Sequence, residues 1–175
     1  MQIRQSITQL PVGQKMALIQ FLQQFDYPPI LFLMKGITLL GNFLIYPLYI
    51  LIGYVCLSRK KWFSFLGIIL FSWGVNEALK YGFSLPRPPK EFHLVTVTGL
   101  GFPSGHAQMA VVVWGWLGMQ YNRIVPAVVL ILLIGLSRIY LGVHFLNQVV
   151  GGWFVGFTVL MIWVFIIHEI KKVKL

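Results

Sequence analysis

Residues 30–57 read ILFLMKGITLLGNFLIYPLYILIGYVCL, a run in which Lys35 is the only charge. A helix that crosses the hydrocarbon core of a bilayer needs about 20 consecutive apolar residues, so the run has room for one span. Ser58-Arg59-Lys60-Lys61 ends it. Outward toward the carboxyl terminus, apolar segments recur at residues 62–79, from 104 or 105 to 121, from 124 to between 137 and 144, and at 149–168, and the chain closes on Lys171-Lys172-Val173-Lys174. Only residues 80–103 interrupt the series with a polar, proline-rich stretch, too long for a tight hairpin. The pattern predicts an all-α integral membrane protein with five transmembrane helices, and no repeat, low-complexity tract or linker divides it.

Outward toward the amino terminus, Pro28-Pro29 marks where the chain turns into the first span. Residues 1–26 carry Gln14, Lys15, Gln20, Gln23 and Gln24 among their apolar positions, which breaks the uninterrupted core that a cleavable signal peptide requires. Leu18, Phe21, Leu22 and Phe25 follow the spacing of one helical face. That spacing predicts an amphipathic helix over residues 1–28, lying in the membrane interface or packed on the bundle. Residues 30–170 form the helical core, and 1–175 read as a single domain.

Composition agrees. The chain is 58% hydrophobic and only 10% charged, with mean hydropathy +0.80, whereas soluble domains are about a quarter charged. The formal charge of +10 sits in membrane flanks rather than on a patch suited to nucleic acid, so its partners are anionic head groups. Cys56 is the single cysteine, which excludes a disulfide framework. Five spans put the termini on opposite sides. The rule that cytoplasmic loops are rich in Lys and Arg then assigns Arg59-Lys60-Lys61, Arg123 and the carboxyl-terminal lysines to the cytoplasm. Lys80, Arg87, Lys90 and Arg138 fall on the other side, against the rule, as residues kept to bind an anion would.

Those outward ends carry Lys80, Arg87 and Pro88, then Gly101-Phe102-Pro103-Ser104-Gly105-His106, then Ser137-Arg138 and His144. Ionisable residues at the ends of apolar spans are costly and point to function. A phosphoryl group in transfer spreads charge over its oxygens and needs fixed cations and hydrogen-bond donors. Arg87 and Arg138 offer planar forks, and Lys80 offers a point charge. Ser104 offers a hydroxyl, while the Gly105 and His106 amides stand at a helix start. Two imidazoles permit a two-step hydrolysis, one attacking phosphorus and the other protonating the leaving oxygen. The sequence has no ligand cluster for a metal and calls for no cofactor.

At these residues the chain resembles the type 2 phosphatidic acid phosphatase superfamily, which includes lipid phosphate phosphatases, glucose-6-phosphatases and vanadium haloperoxidases. Its three motifs are matched by Lys80 through Arg87-Pro88, by Pro103-Ser104-Gly105-His106, and by Ser137-Arg138 with His144. The third motif ends in Gln148 where most members have Asp, as in the glucose-6-phosphatase and dolichyl-diphosphatase branches, which remain active. The resemblance implies that His144 is the nucleophile, held in orientation by Gln148, and that His106 is the general acid. It also implies that Lys80, Arg87, Ser104, Gly105 and Arg138 bind phosphate, with Pro88, Pro103 and Ser137 in support. Most members have six spans.

Glu77, one helical turn before Lys80, is placed to hold it in an ion pair or to face solvent. His93 and His168 lie outside the motifs, and the Trp and Tyr residues read as belt or packing residues. The substrate that fits is a phosphate on an amphiphile: polyprenyl diphosphate, phosphatidic acid, phosphatidylglycerol phosphate or lipid A. The alternatives are a soluble phosphate ester and a catalytically silent lipid-phosphate binder. The size of the chain suggests a bacterial inner membrane, with the site on the extracytoplasmic side.

Overall fold

A computed structural model describes residues 12–173; the terminal residues 1–11 and 174–175, among them Lys174, lie outside it. Among the described residues there are helices and no strand. We number them α1 (Val12–Gln23), α2 (Pro28–Leu39), α3 (Tyr46–Cys56), α4 (Arg59–Phe83), α5 (Gly105–Ala110), α6 (Trp116–Tyr121), α7 (Ile124–Tyr140) and α8 (Leu146–Val173). One wide turn, Val111–Gly115, joins α5 to α6, so that residues 105–121 form a single helical run.

Two helices, α4 and α8, are each long and apolar enough to cross a bilayer, and α7 is a shorter apolar helix. The solvent for much of the surface is lipid: Val125 is 75% and Phe154 71% exposed, which no contact with water would favour. Inside, Phe65, Ile68, Val112, Trp116 and Leu160 close the main core.

The single span expected within residues 30–57 is broken. Helix α2 stops at Leu39, and the chain restarts at Phe43 with a bend of 57°. Gly41 explains where. A Cβ there would stand 2.7 Å from the Ile134 side chain and 3.2 Å from the His106 carbonyl oxygen, so only glycine lets the backbone press onto the start of α5. Asn42 then accepts from the Leu44 amide at 3.0 Å and begins the next helical turn, and Pro47 near the start of α3 needs no donor there. Composition cannot show such a break, because both halves are equally apolar.

Helix α1 forms in the amino-terminal segment, but the stripe read from sequence divides. Leu18 and Leu22 pack toward the bundle with the buried Met16 and Ile19, whereas Phe21 and Phe25 are exposed. Gln23 at its end donates from Nε2 to the carbonyls of Phe92 (2.9 Å) and Tyr140 (3.0 Å). Thus α1 ties the long 84–104 connection to the end of α7. The Leu94 amide, which donates to the Leu141 carbonyl at 3.0 Å, does the same.

Candidate active site

Five chain segments meet at one end of the bundle: the last turns of α4, the long connection that follows it, the start of α5, the end of α7 and the turn before α8. The other end is marked by Lys61, whose Nζ lies 6.0 Å from the Tyr121 ring centroid. Between the two ends runs α4, whose 25 residues extend about 37 Å. At the first end is a cavity of about 810 Å³, lined among others by Lys80, Arg87, Gly105, His106, Arg138 and His144. The structure therefore gathers these six residues, which span 65 positions of sequence, onto one surface.

Helix α4 runs past residue 79 to Phe83, so Glu77 and Lys80 are both helical. Their side chains meet at 2.9 Å, as the i, i+3 spacing allows. The turn between α7 and α8 presents His144, which is 1% exposed. Arg87 Nη1 donates to His144 Nε2 at 2.8 Å, and arginine has no acceptor. The Nε2 atom therefore carries the lone pair, and Nδ1–H donates to Gln148 Oε1 at 3.1 Å. The same oxygen accepts from the Phe145 amide at 3.2 Å, while Gln148 Nε2 donates to the Pro86 carbonyl at 2.7 Å. Both ends of the amide are engaged, which fixes its orientation. Room for this bridge comes from Gly101, where a Cβ would stand 2.6 Å from Gln148 Nε2 and 2.5 Å from the Pro86 oxygen.

Burial first, and then the charges of Arg87 and Arg138, hold the His144 imidazole well below the ordinary histidine range. It is neutral near pH 7, with Nε2 free to act as a base or nucleophile once its hydrogen bond to Arg87 is exchanged. Arg87 also donates from Nε to the Gly99 carbonyl (3.0 Å), from Nη2 to Thr98 (3.1 Å) and from Nη1 to Val143 (3.1 Å). It thus pins the long connection to the histidine turn and leaves one N–H unused. Desolvation lowers its pKa from the usual value. The sequence reading of Arg87 as a planar fork for phosphate missed this structural duty, because backbone carbonyls have no signature in sequence.

Arg138 donates from Nη1 to the Thr38 hydroxyl at 2.7 Å, while its Nε is buried without a partner, as are Ser104 Oγ and His106 Nε2. Buried polar atoms are nearly always paired, and these three belong to residues at or beside the cavity. An anion with several acceptor oxygens would satisfy the two donors of this set that can only donate or readily do so, Arg138 Nε and Ser104 Oγ. Ser104 opens α5 without capping it through its side chain, so its hydroxyl is available.

Other expected residues stand further back. Ser137 Oγ donates to the Ile134 carbonyl of its own helix at 2.6 Å, Pro103 is buried before α5, and the Pro88 carbonyl lies 3.0 Å from His93 Nε2. His93 thereby braces the loop, and desolvation is the main cause that lowers its pKa. His168 sits near the far end of α8, 3.4 Å from Glu169. Sequence reasoning missed Thr38, and it missed a fully buried polar chain in which Gln108 Nε2 donates to Ser72 Oγ (2.9 Å) and Asn76 Nδ2 donates to Gln108 Oε1 (2.7 Å). Asn76 Oδ1 is left facing Gly105, 3.1 Å from where a Cβ would be. Asn76 was visible as a polar residue late in an apolar span, a signal of the same kind as Glu77.

The model of the PAP2 superfamily matches residues 61–172. Phosphatidylglycerophosphatase B of Bacillus subtilis (strain 168) is 35% identical over 141 residues, 70% of this chain and 68% of that protein. The crystal structure of a transmembrane PAP2 type phosphatidylglycerolphosphate phosphatase from Bacillus subtilis superposes with a TM-score of 0.83 at 26% identity, over 97% of this chain and 93% of that one. That of Aquifex aeolicus LpxE superposes at 0.72 and 21% identity, over 84% and 92%, a likeness of fold.

Proposed function

The chain belongs to the PAP2 superfamily and is a membrane phosphatase, and from that premise we propose that it hydrolyses the phosphate ester of a membrane lipid through a phosphohistidine intermediate. The observation that carries the reading is the chain of hydrogen bonds through His144: the amide of Gln148 accepts from Nδ1 and leaves the lone pair on Nε2, where Arg87 Nη1 engages it at 2.8 Å beside the cavity that Lys80, His106 and Arg138 also line.

In the first step His144 Nε2 attacks phosphorus, and the bond to the leaving alkoxide breaks. His106, protonated when the dianion arrives beside it, gives that proton to the alkoxide. Lys80, Arg138, the Ser104 hydroxyl and the amides at the start of α5 hold the equatorial oxygens as charge builds on them. The imidazolium formed at His144 keeps its Nδ1 hydrogen bond to Gln148. In the second step His106, now neutral, takes a proton from water, whose oxygen attacks phosphorus and releases inorganic phosphate and His144. The likeness to a phosphatidylglycerophosphatase favours a glycerolipid monoester over a soluble ester, and so do the apolar side chains of Phe32, Leu39 and Phe43 at the cavity.

The same reading gives the membrane arrangement. Five crossings, made by the bent α2–α3 pair, α4, the 105–121 run, α7 and α8, place the carboxyl terminus in the cytoplasm and the site at the outer face of a bacterial inner membrane. Helix α1 rests at the interface.

Phosphate release by the detergent-solubilised protein from a panel of lipid phosphates, without added metal, tests the proposal. Turnover that vanishes in His144→Ala and is blocked by vanadate is expected. Unchanged turnover in that variant removes the nucleophile, and binding without release from every lipid favours a silent binder.

A further inference from the structure

Three buried polar side chains, Ser72, Asn76 and Gln108, join two of the helices that carry the phosphate clamp, and the mechanism above makes no use of them. Ser72, Asn76 and Lys80 follow one another at a spacing of four along one face of α4, and Gln108 lies two residues past His106 on α5. Gln108 Nε2 donates to the Ser72 carbonyl at 2.8 Å and to the Ser72 hydroxyl at 2.9 Å. A backbone carbonyl can only accept, so the Gln108 amide has one orientation, with Oε1 toward Asn76. Asn76 meets it with Nδ2 at 2.7 Å, which turns its own Oδ1 the other way. Through two amides, a backbone carbonyl of α4 thus dictates where one oxygen acceptor points.

That acceptor points into the site. Asn76, Lys80, Gly105 and His106 line the cavity together. The place that a Cβ on Gly105 would occupy is 3.1 Å from Asn76 Oδ1 and 3.8 Å from Lys80 Nζ, so both atoms lie over the first residue of α5, beside Ser104 and His106. An acceptor next to the oxygens of a phosphate dianion is unfavourable unless a donor meets it. Lys80 is the donor on the same face of α4. Its ammonium has three N–H groups; Glu77 takes one at 2.9 Å, and among the described residues no other hydrogen bond engages Nζ. Because the ammonium is tetrahedral, fixing two of its N–H groups fixes the direction of the third.

We propose that Asn76 is a positioning residue that acts through Lys80. With an anion bound, Oδ1 accepts a second N–H of the ammonium, Glu77 keeps the first, and the third is aimed at the phosphate oxygen over Gly105. Such contacts tighten when the reacting group arrives. Gln108 and Ser72 are the relay that keeps Oδ1, rather than the amide nitrogen, on the cavity side. An Asn76 amide turned over would set a donor against an ammonium and push Lys80 off the clamp. Lysine needs this guidance because its ammonium is a point charge on a flexible stem, without the built-in fork of arginine. The inference rests on the phosphatase reading and deepens it, by naming what aligns the cation of α4 with the hydroxyl and imidazole that α5 supplies.

Vanadate, which takes the five-coordinate shape of phosphorus in transfer, reads the clamp without turnover. Its affinity for the full-length protein in detergent is measured by titration calorimetry in wild type, in Asn76→Leu with Gln108→Leu, in Lys80→Met, and with all of these changes combined. Replacing both amides by leucine leaves neither half of the pair unmatched in the core, and the melting transition checks that the fold is kept. The leucine pair is expected to weaken vanadate about tenfold and to lower kcat/KM on phosphatidic acid by a similar factor. In the Lys80→Met background it is expected to add less than about twofold, because a residue that acts through the lysine has nothing left to act on. Gln108→Leu alone frees Asn76 to turn over and is expected to weaken vanadate about threefold, again only while Lys80 is present; it tests the relay even where the leucine pair does not fold. Losses that add in full to that of Lys80→Met, or vanadate affinity unchanged in the folded variants, overturn the positioning role and leave the three side chains as core packing. Absence of vanadate binding by the wild-type protein overturns the phosphatase reading, and the positioning role with it.

Discussion

Replacing Gln148 with leucine keeps the volume of the side chain and removes both of its polar ends. Three hydrogen bonds go: His144 Nδ1 and the Phe145 amide lose their acceptor, and the Pro86 carbonyl loses its donor. In the transition state of the proposed mechanism His144 becomes a cation, and a hydrogen bond to a charged group is worth about 1.5–3 kcal/mol net. At about 1.4 kcal/mol per factor of ten, the loss at Nδ1 alone lowers kcat roughly 10- to 150-fold. Release of the Pro86 carbonyl, one residue before Arg87, loosens the guanidinium that lies on His144, so the expected loss in kcat/KM is toward the upper end, about a hundredfold. The unpaired Phe145 and Pro86 groups also destabilise the fold by about 1–3 kcal/mol each where they remain buried. The assay is therefore phosphate release at a temperature well below the melting transition, with that transition followed separately. A variant that keeps kcat within about threefold of wild type while folded would refute the claim that the amide positions the nucleophile.

Two further outcomes follow from the geometry. Thr38→Val, isosteric but without the hydroxyl that accepts from Arg138 at 2.7 Å, is expected to lower kcat/KM about five- to tenfold through a loss near 1 kcal/mol. Thr38→Ser should restore it, and a loss that serine does not rescue points to packing instead. The proposed attack requires neutral His144, whose pKa is held well below 6.5 by burial and then by Arg87 and Arg138. Activity is therefore retained as pH falls through the ordinary histidine range and is lost only as pH falls through the depressed value. After correction for the ionisation of the substrate, an acid limb of kcat/KM above pH 6.5 would contradict this.

Much of the site could be read from residue types alone, because charge in an apolar helix end has few explanations. Lys80, Arg87, His106, Arg138 and His144 line one cavity as their shared side of the membrane predicts. The Glu77–Lys80 pair forms because a spacing of three is a contact in any helix. What stayed hidden depends on where the backbone goes. The break at residues 40–42 is set by how closely Gly41 approaches His106 and Ile134, residues far from it in sequence. Thr38 gains its role only because that break aims α2 at Arg138. Arg87 looks like a free clamp in sequence, yet it commits four of its five N–H groups to three carbonyls and His144.

The same geometry explains how a neutral amide can stand where a carboxylate is usual. A carboxylate behind the histidine favours the imidazolium by its charge, but in the proposed mechanism the cation at His144 forms in contact with a phosphate that is itself negative, and the cavity already carries four cations against one carboxylate. The tautomer needs only an acceptor, which Oε1 supplies. The second end of the amide does what a carboxylate cannot: Nε2 donates to the Pro86 carbonyl, whereas an ionised oxygen there would face another oxygen and be repelled. Aspartate would also be one methylene shorter and could not span from His144 to Pro86 without backbone movement. Gln148 is thus a strut as well as an acceptor, joining the Arg87 loop to the turn that carries His144. Its replacement by aspartate must therefore be judged by two opposing effects, a gain in charge behind the imidazole and a loss of the bridge that holds Arg87 in place.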